Sequence, residues 1–146
     1  MDKYHIIINI ILVLYLLYSS YTDIRTQRIP LKLSIIVGLC NTIINILCAH
    51  NIKVAIMTMI YGCIVGAVLL LLAFITKEDI GYGDGIVMLL IGLSTGIKRT
   101  FLICCLSFVL TAFYACLLLL CKKNRKLTIP FLPFMCISYL IQLFLI

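Results

Sequence analysis

The chain has 146 residues, of which 64% are hydrophobic and only 12% charged. With a mean hydropathy of +1.25 it lacks the polar surface to cover a water-facing globule, which excludes a soluble domain and makes it an integral membrane protein. Its net charge of +7 is spread over several short breaks with one cluster at Lys122 to Lys126, so it reads as membrane topology and attraction to anionic headgroups, with no nucleic-acid partner.

Six apolar runs follow one another: Tyr4 to Tyr21, Leu31 to Ala49, Val54 to Thr76, Gly85 to Ile97, Thr100 to Cys121 and Phe131 to Ile146. They are continuous rather than alternating, and lipid tolerates no open strand edge, so they predict helices. The expected fold is all-α, a polytopic membrane bundle of about six transmembrane helices in a single domain over residues 1–146. A helix crossing a hydrocarbon core of about 30 Å needs about 20 residues. The fourth and sixth runs are shorter and are expected to tilt, to be partly buried or to be re-entrant.

The first run ends without the small residues of a signal-peptide cleavage site and is expected to remain as a helix. The break from Thr22 to Pro30 ends in a proline suited to the first turn of the second helix. In the third and fourth spans, Gly62 with Gly66 and Gly92 with Gly96 have the small-residue spacing of close helix contact. The break from Thr76 to Gly85 carries Gly81, Gly83 and Gly85 on alternate positions, predicting a bent or extended backbone that another chain can approach. Pro130 and Pro133 shape the entry to the sixth helix. The eight cysteines include no C-x-x-C pair and are read as small buried hydrophobes, with no metal site and no disulfide.

Grouping alternate breaks puts 8 basic residues on one side (Arg25, Arg28, Lys32, Lys77, Lys122, Lys123, Arg125, Lys126) and 4 on the other (Lys3, Lys53, Lys98, Arg99). The richer side is expected to be cytoplasmic. It also receives Asp23 and Asp84, 61 residues apart in the chain. His5 and His50 fall at the opposite ends of their helices.

Only five acidic residues are present: Asp2, Asp23, Glu78, Asp79 and Asp84. Carboxylates so scarce in a membrane chain mark functional positions. Taken singly, Asp23 has a bland reading as an interfacial residue or a partner of Arg25 or Arg28. Asp84, likewise, could simply cap the fourth helix. Taken together, two carboxyls sharing one proton can hydrolyse a peptide bond without metal or cofactor, one activating water and the other protonating the carbonyl oxygen. The same pair could instead line an ion or proton path in a transporter subunit, and a scaffold protein would need neither.

The segment Thr22-Asp23-Ile24-Arg25 through Arg28-Ile29-Pro30 resembles the first aspartate motif of bacterial prepilin peptidases, the type IV leader peptidases. Glu78-Asp79-Ile80-Gly81-Tyr82-Gly83-Asp84, with its Gly-x-Gly-Asp ending, resembles that family's second motif, and Ile129-Pro130-Phe131-Leu132-Pro133-Phe134 is similar to its Pro-Phe-x-Pro-Phe segment. The three occur in family order over almost the whole chain. Presenilin-like proteases also use Gly-x-Gly-Asp, but the polar Asp23 segment with Ile29-Pro30 favours the prepilin group.

The resemblance implies an aspartic endopeptidase of the type IV pilus class, multi-pass in the bacterial inner membrane. It would cut the basic leader of prepilin or pseudopilin precursors at the cytoplasmic border, with Asp23 and Asp84 catalytic. Glu78, Asp79, Gly81, Tyr82 and Gly83 are the candidate substrate-binding residues, the two acids because they could meet a basic leader. Two departures bear on substrate fit: Leu31 stands where the family usually has Asn after Ile-Pro, and Ile86 where Lys is frequent after the second Asp. The longer members carry a further N-terminal region associated with N-methylation. This chain is expected to act as a peptidase without that second activity.

Overall fold

A computed structural model describes residues 3–26, 29–76, 81–120 and 129–145, and these form six helices. In chain order they are α1 (Lys3–Thr26), α2 (Leu31–Cys48), α3 (Ile52–Ile75), α4 (Tyr82–Thr95), α5 (Ile97–Leu120) and α6 (Leu132–Phe144). The all-α expectation holds, with six helices at the six apolar runs. Four of them, α1, α2, α3 and α5, are long and apolar enough to cross a membrane, while α4 and α6 have 14 and 13 residues. At 1.5 Å per residue the two short helices reach only about 20 Å, less than a hydrocarbon core of about 30 Å. The chain is a multi-pass membrane protein.

The helix ends depart from expectation at both acidic sites. Helix α1 runs five residues beyond Tyr21, to Thr26, so Asp23 lies on a helix and not in a loop. Polar residues there do not break the helix because their hydroxyls bond backward: Thr22 Oγ1 donates to the Ser19 carbonyl at 2.9 Å and Thr26 Oγ1 to that of Thr22 at 2.8 Å. Helix α4 starts at Tyr82, three residues before the predicted Gly85. Its end is set by Gly96, which has φ +78° and is the positive-φ glycine among the described residues. That left-handed residue closes α4 through Gly96 N–H to Gly92 C=O at 3.1 Å, and α5 begins at the next position. Lys98 and Arg99, expected in a break, therefore occupy the first turn of α5.

Helix α4 sits inside the bundle, packed by α3, α2 and α5, while α1 packs on α6 and α2, and α6 on α5. Its Val87, Met88, Leu90 and Ile91 join Leu12 and Leu16 of α1, Ile103 of α5 and Met135 and Tyr139 of α6 in one core. A short helix can be buried this fully because its neighbours, not lipid, surround it. Outward-facing Ile35, Leu39 and Ile43 of α2, Leu71 and Phe74 of α3 and Phe113 and Leu117 of α5 are exposed, as befits a surface solvated by acyl chains.

The α3–α4 contact is closest. A Cβ on Gly62 would overlap the Gly92 carbonyl, one on Gly92 would overlap that of Gly62, and one on Gly66 would overlap the Leu89 backbone. Close van der Waals approach of this kind drives helix association in lipid, where no hydrophobic difference separates helix from solvent. Elsewhere the helices are joined by polar links: Tyr15 Oη with Ser34 Oγ at 2.6 Å (α1–α2), Asn41 Nδ2 to Ser94 Oγ at 3.2 Å (α2–α4) and Tyr139 Oη to Asn9 Oδ1 at 3.1 Å (α6–α1).

Candidate active site

Asp23 lies in the last turns of α1, only 8% exposed. Its Oδ2 accepts a hydrogen bond from the backbone N–H of Leu132 at 3.3 Å, across 109 residues of chain. Local sequence explains the donor. Leu132 is the first residue of α6 and Pro133 follows it, so the next position has no N–H. The amides of Phe134 and Met135 turn back to the Phe131 carbonyl at 3.1 and 3.2 Å. Leu132 thus presents a first-turn N–H, at the positive end of the helix dipole, to a carboxylate. Pro133 was expected only to shape the entry to α6. The contribution of Leu132 was missed, and the one signal for it is the proline itself, which marks a helix start, where first-turn amides have no intrahelical acceptor.

Asp84 is the third residue of α4, partly exposed, with its own N–H donating to the Gly81 carbonyl at 3.1 Å. It does not cap the helix. Gly81 is the N-cap residue, and no side chain caps there. Asp23 and Asp84 lie within electrostatic reach of each other, at the end of the bundle where α1 finishes and α4 and α6 begin.

The glycines beside Asp84 meet the expectation of a bent or extended backbone only in part: Gly81 is extended, at φ −62° and ψ 126°, while Gly83 and Gly85 are helical. What they supply is room. A Cβ on Gly81 would stand 3.1 Å from Asp84 Oδ2, one on Gly83 would overlap the Ile29 side chain, and one on Gly85 would approach Leu70 to 2.8 Å. Gly83 therefore brings the Ile29-Pro30 segment that follows Asp23 against the turn that holds Asp84.

Of the other candidate residues, Tyr82 opens α4 and is 38% exposed. Glu78 and Asp79 lie outside the described residues, as do Arg28 and the Lys122 to Lys126 cluster. Arg25 is not directed at Asp23. Two positions along a helix face apart, and its guanidinium stands over the Tyr21 ring, 5.1 Å from the centroid. His5 and His50 are at the far end of the bundle, where they line a cavity.

The sequence model of the type IV leader peptidase family matches residues 10–116. The chain belongs to this family. It is an aspartic endopeptidase of the prepilin leader peptidase type, spanning the membrane several times. The match includes Asp23 and Asp84 and stops short of Pro130 and Pro133. No curated protein and no solved structure matches the chain.

Proposed function

We propose that this leader peptidase cuts the basic leader from prepilin or pseudopilin precursors with Asp23 and Asp84 as a general acid/base pair, at the cytoplasmic border of the bacterial inner membrane. The reading is supported by the placement of the two aspartates at the same end of the bundle, within electrostatic reach, with the Leu132 amide on Asp23. Because the Leu132 N–H donates to Asp23, we assign Asp23 the part of the base and Asp84 that of the acid. Asp23 takes a proton from water as the water oxygen bonds to the scissile carbonyl carbon. Asp84 gives its proton to the carbonyl oxygen, forming a gem-diol. Collapse of the diol breaks the C–N bond, with the departing amine taking the proton held by Asp23 and the diol returning one to Asp84.

The cytoplasmic orientation rests on the distribution of Lys and Arg. Glu78 and Asp79 attract the leader's basic residues, and Gly81, Tyr82 and Gly83 border the path of the extended substrate strand. Asp23→Asn and Asp84→Asn, each assayed on a prepilin precursor in proteoliposomes, should lower the cleavage rate by about 10²–10⁴-fold with membrane insertion unchanged. Near-normal cleavage by either variant would sink the dyad. Because the pair needs one proton, the wild-type rate should fall at both extremes of pH. On the acid side no base remains, and on the alkaline side no acid.

A further inference from the structure

Among the described residues, every serine and threonine hydroxyl but two donates to a carbonyl of the turn before it. In a helix embedded in lipid this back-bonding settles a hydroxyl that water does not reach. The two exceptions are Ser19 and Ser20 of α1, whose Oγ atoms are closed off from solvent and make no hydrogen bond. Burying a hydroxyl without a partner costs free energy, so such groups are rare.

Both lie just before Asp23, at the i−4 and i−3 positions, the spacings that put side chains on one helix face. A helical side chain leans back over the turn N-terminal to it, and for Asp23 that turn holds Ser19 and Ser20. The two serines are not equivalent. Ser19 stands opposite the Tyr15 hydroxyl, an oxygen able to accept from it, whereas Ser20 stands opposite the Cys136 thiol of α6, a weak acceptor. Ser20 and Asp23 are equally buried, each 8% exposed. An ionised carboxylate offers about four acceptor sites, and the Leu132 N–H takes one of them on Oδ2. A spare donor thus lies one turn from a carboxylate with spare acceptor sites.

We propose that Ser20 is a positioning residue for Asp23, its hydroxyl donating to the carboxylate so that, together with the Leu132 amide, it fixes the direction in which Asp23 meets water. The proposal rests on the reading of Asp23 as one of the two catalytic carboxylates. A single donor leaves a carboxylate free to pivot about that bond, and a second from another direction removes the freedom. Reaching the carboxylate takes a rotation of Ser20 about χ1 between staggered positions. The test is cleavage of a prepilin precursor by the full chain in proteoliposomes, with kcat and KM measured separately and Tm recorded in detergent.

Ser20→Ala should lower kcat by about tenfold or more, the worth of a hydrogen bond to a charged group, with KM within about twofold of wild type and Tm near wild type. Ser20→Thr, which keeps the hydroxyl, should recover kcat. Ser138→Ala removes an equally buried hydroxyl whose bond is to the Phe134 carbonyl, and it should leave kcat unchanged, as should Cys136→Ala. If Ser20→Ala fails to fold, Ser20→Cys, similar in shape and only a weak donor, makes the same comparison. A wild-type kcat in Ser20→Ala, a fall that Cys136→Ala reproduces, or a Ser20→Thr that folds as wild type and stays slow overturns the proposal. Asp23→Asn, measured alongside, separates the two readings. Lost cleavage there with wild-type kcat in Ser20→Ala overturns the positioning role alone, whereas near-normal cleavage in Asp23→Asn overturns it together with the dyad.

Discussion

The two aspartates are held by opposite means. Asp84 rides on the α3–α4 hairpin, where Gly62, Gly66 and Gly92 let backbones touch, so its position follows from shape. Asp23 rides on α1 and is tied to α6 by one amide hydrogen bond, with Tyr139 and Asn9 linking the same two helices further along. The contrast shows two ways of fixing a carboxylate in lipid. Close backbone packing is rigid and intolerant of any added atom. Polar links are individually weak, cheaper to remove and easier to move.

That contrast is broken most severely at the glycines. In Gly66→Val the added side chain meets the Leu89 backbone, which cannot yield as a side-chain tip can. Overpacking of this kind costs typically about 1–3 kcal/mol, and α4 must shift away from α3, carrying Asp84 with it. A lowered Tm in detergent together with strongly reduced cleavage is expected. A variant with wild-type Tm and rate would show that the glycine contact does not set the position of Asp84.

Gly81→Ala separates position from stability. Its Cβ would stand 3.1 Å from Asp84 Oδ2, so the carboxylate must move by a few tenths of an ångström while α3 and α4 keep their contact. Misplacement of a reacting group by 1 Å can cost about 10²-fold, so a smaller displacement should lower kcat by about tenfold or less. Tm should stay near wild type, and the fall should appear in kcat rather than KM. A fall confined to KM would assign Gly81 to substrate contact instead.

The same contrast governs what could be read from sequence. Unbroken apolar runs located all six helices, since in lipid a continuous run has one stable backbone form. The Gly62–Gly92 contact was legible in part because small-residue spacing has a direct packing meaning, although Gly96 proved to be a helix terminator. Three helix ends were misplaced by three residues or more, the end of α1 and the starts of α4 and α5. At α1, Thr22 and Thr26 look like loop residues until their hydroxyls are seen bonded to the preceding turn. At α4, a glycine-rich string reads as open backbone, yet three of its residues are helical. Leu132 was the least legible, because its contact with Asp23 is made by a backbone atom 109 residues away, and no property of the leucine side chain announces it.

The weakest perturbation probes the polar side of the contrast. Tyr139→Phe removes the hydroxyl that donates to Asn9 Oδ1 at 3.1 Å and leaves the ring, which is buried in the core. Interhelical hydrogen bonds within membranes average about 0.6 kcal/mol in double-mutant cycles, so the loss of stability should be near that value and far below the effect of Gly66→Val. Because α6 is also tied to α1 through Leu132 and Asp23, cleavage should change by less than about threefold, the factor that ~0.6 kcal/mol corresponds to. A cycle with Asn9→Leu isolates the pair, since that substitution removes the acceptor. A coupling of several kcal/mol, or a large loss of cleavage in Tyr139→Phe alone, would mean that the α1–α6 link is as unforgiving as the glycine contact, and that both aspartates are fixed by rigid packing.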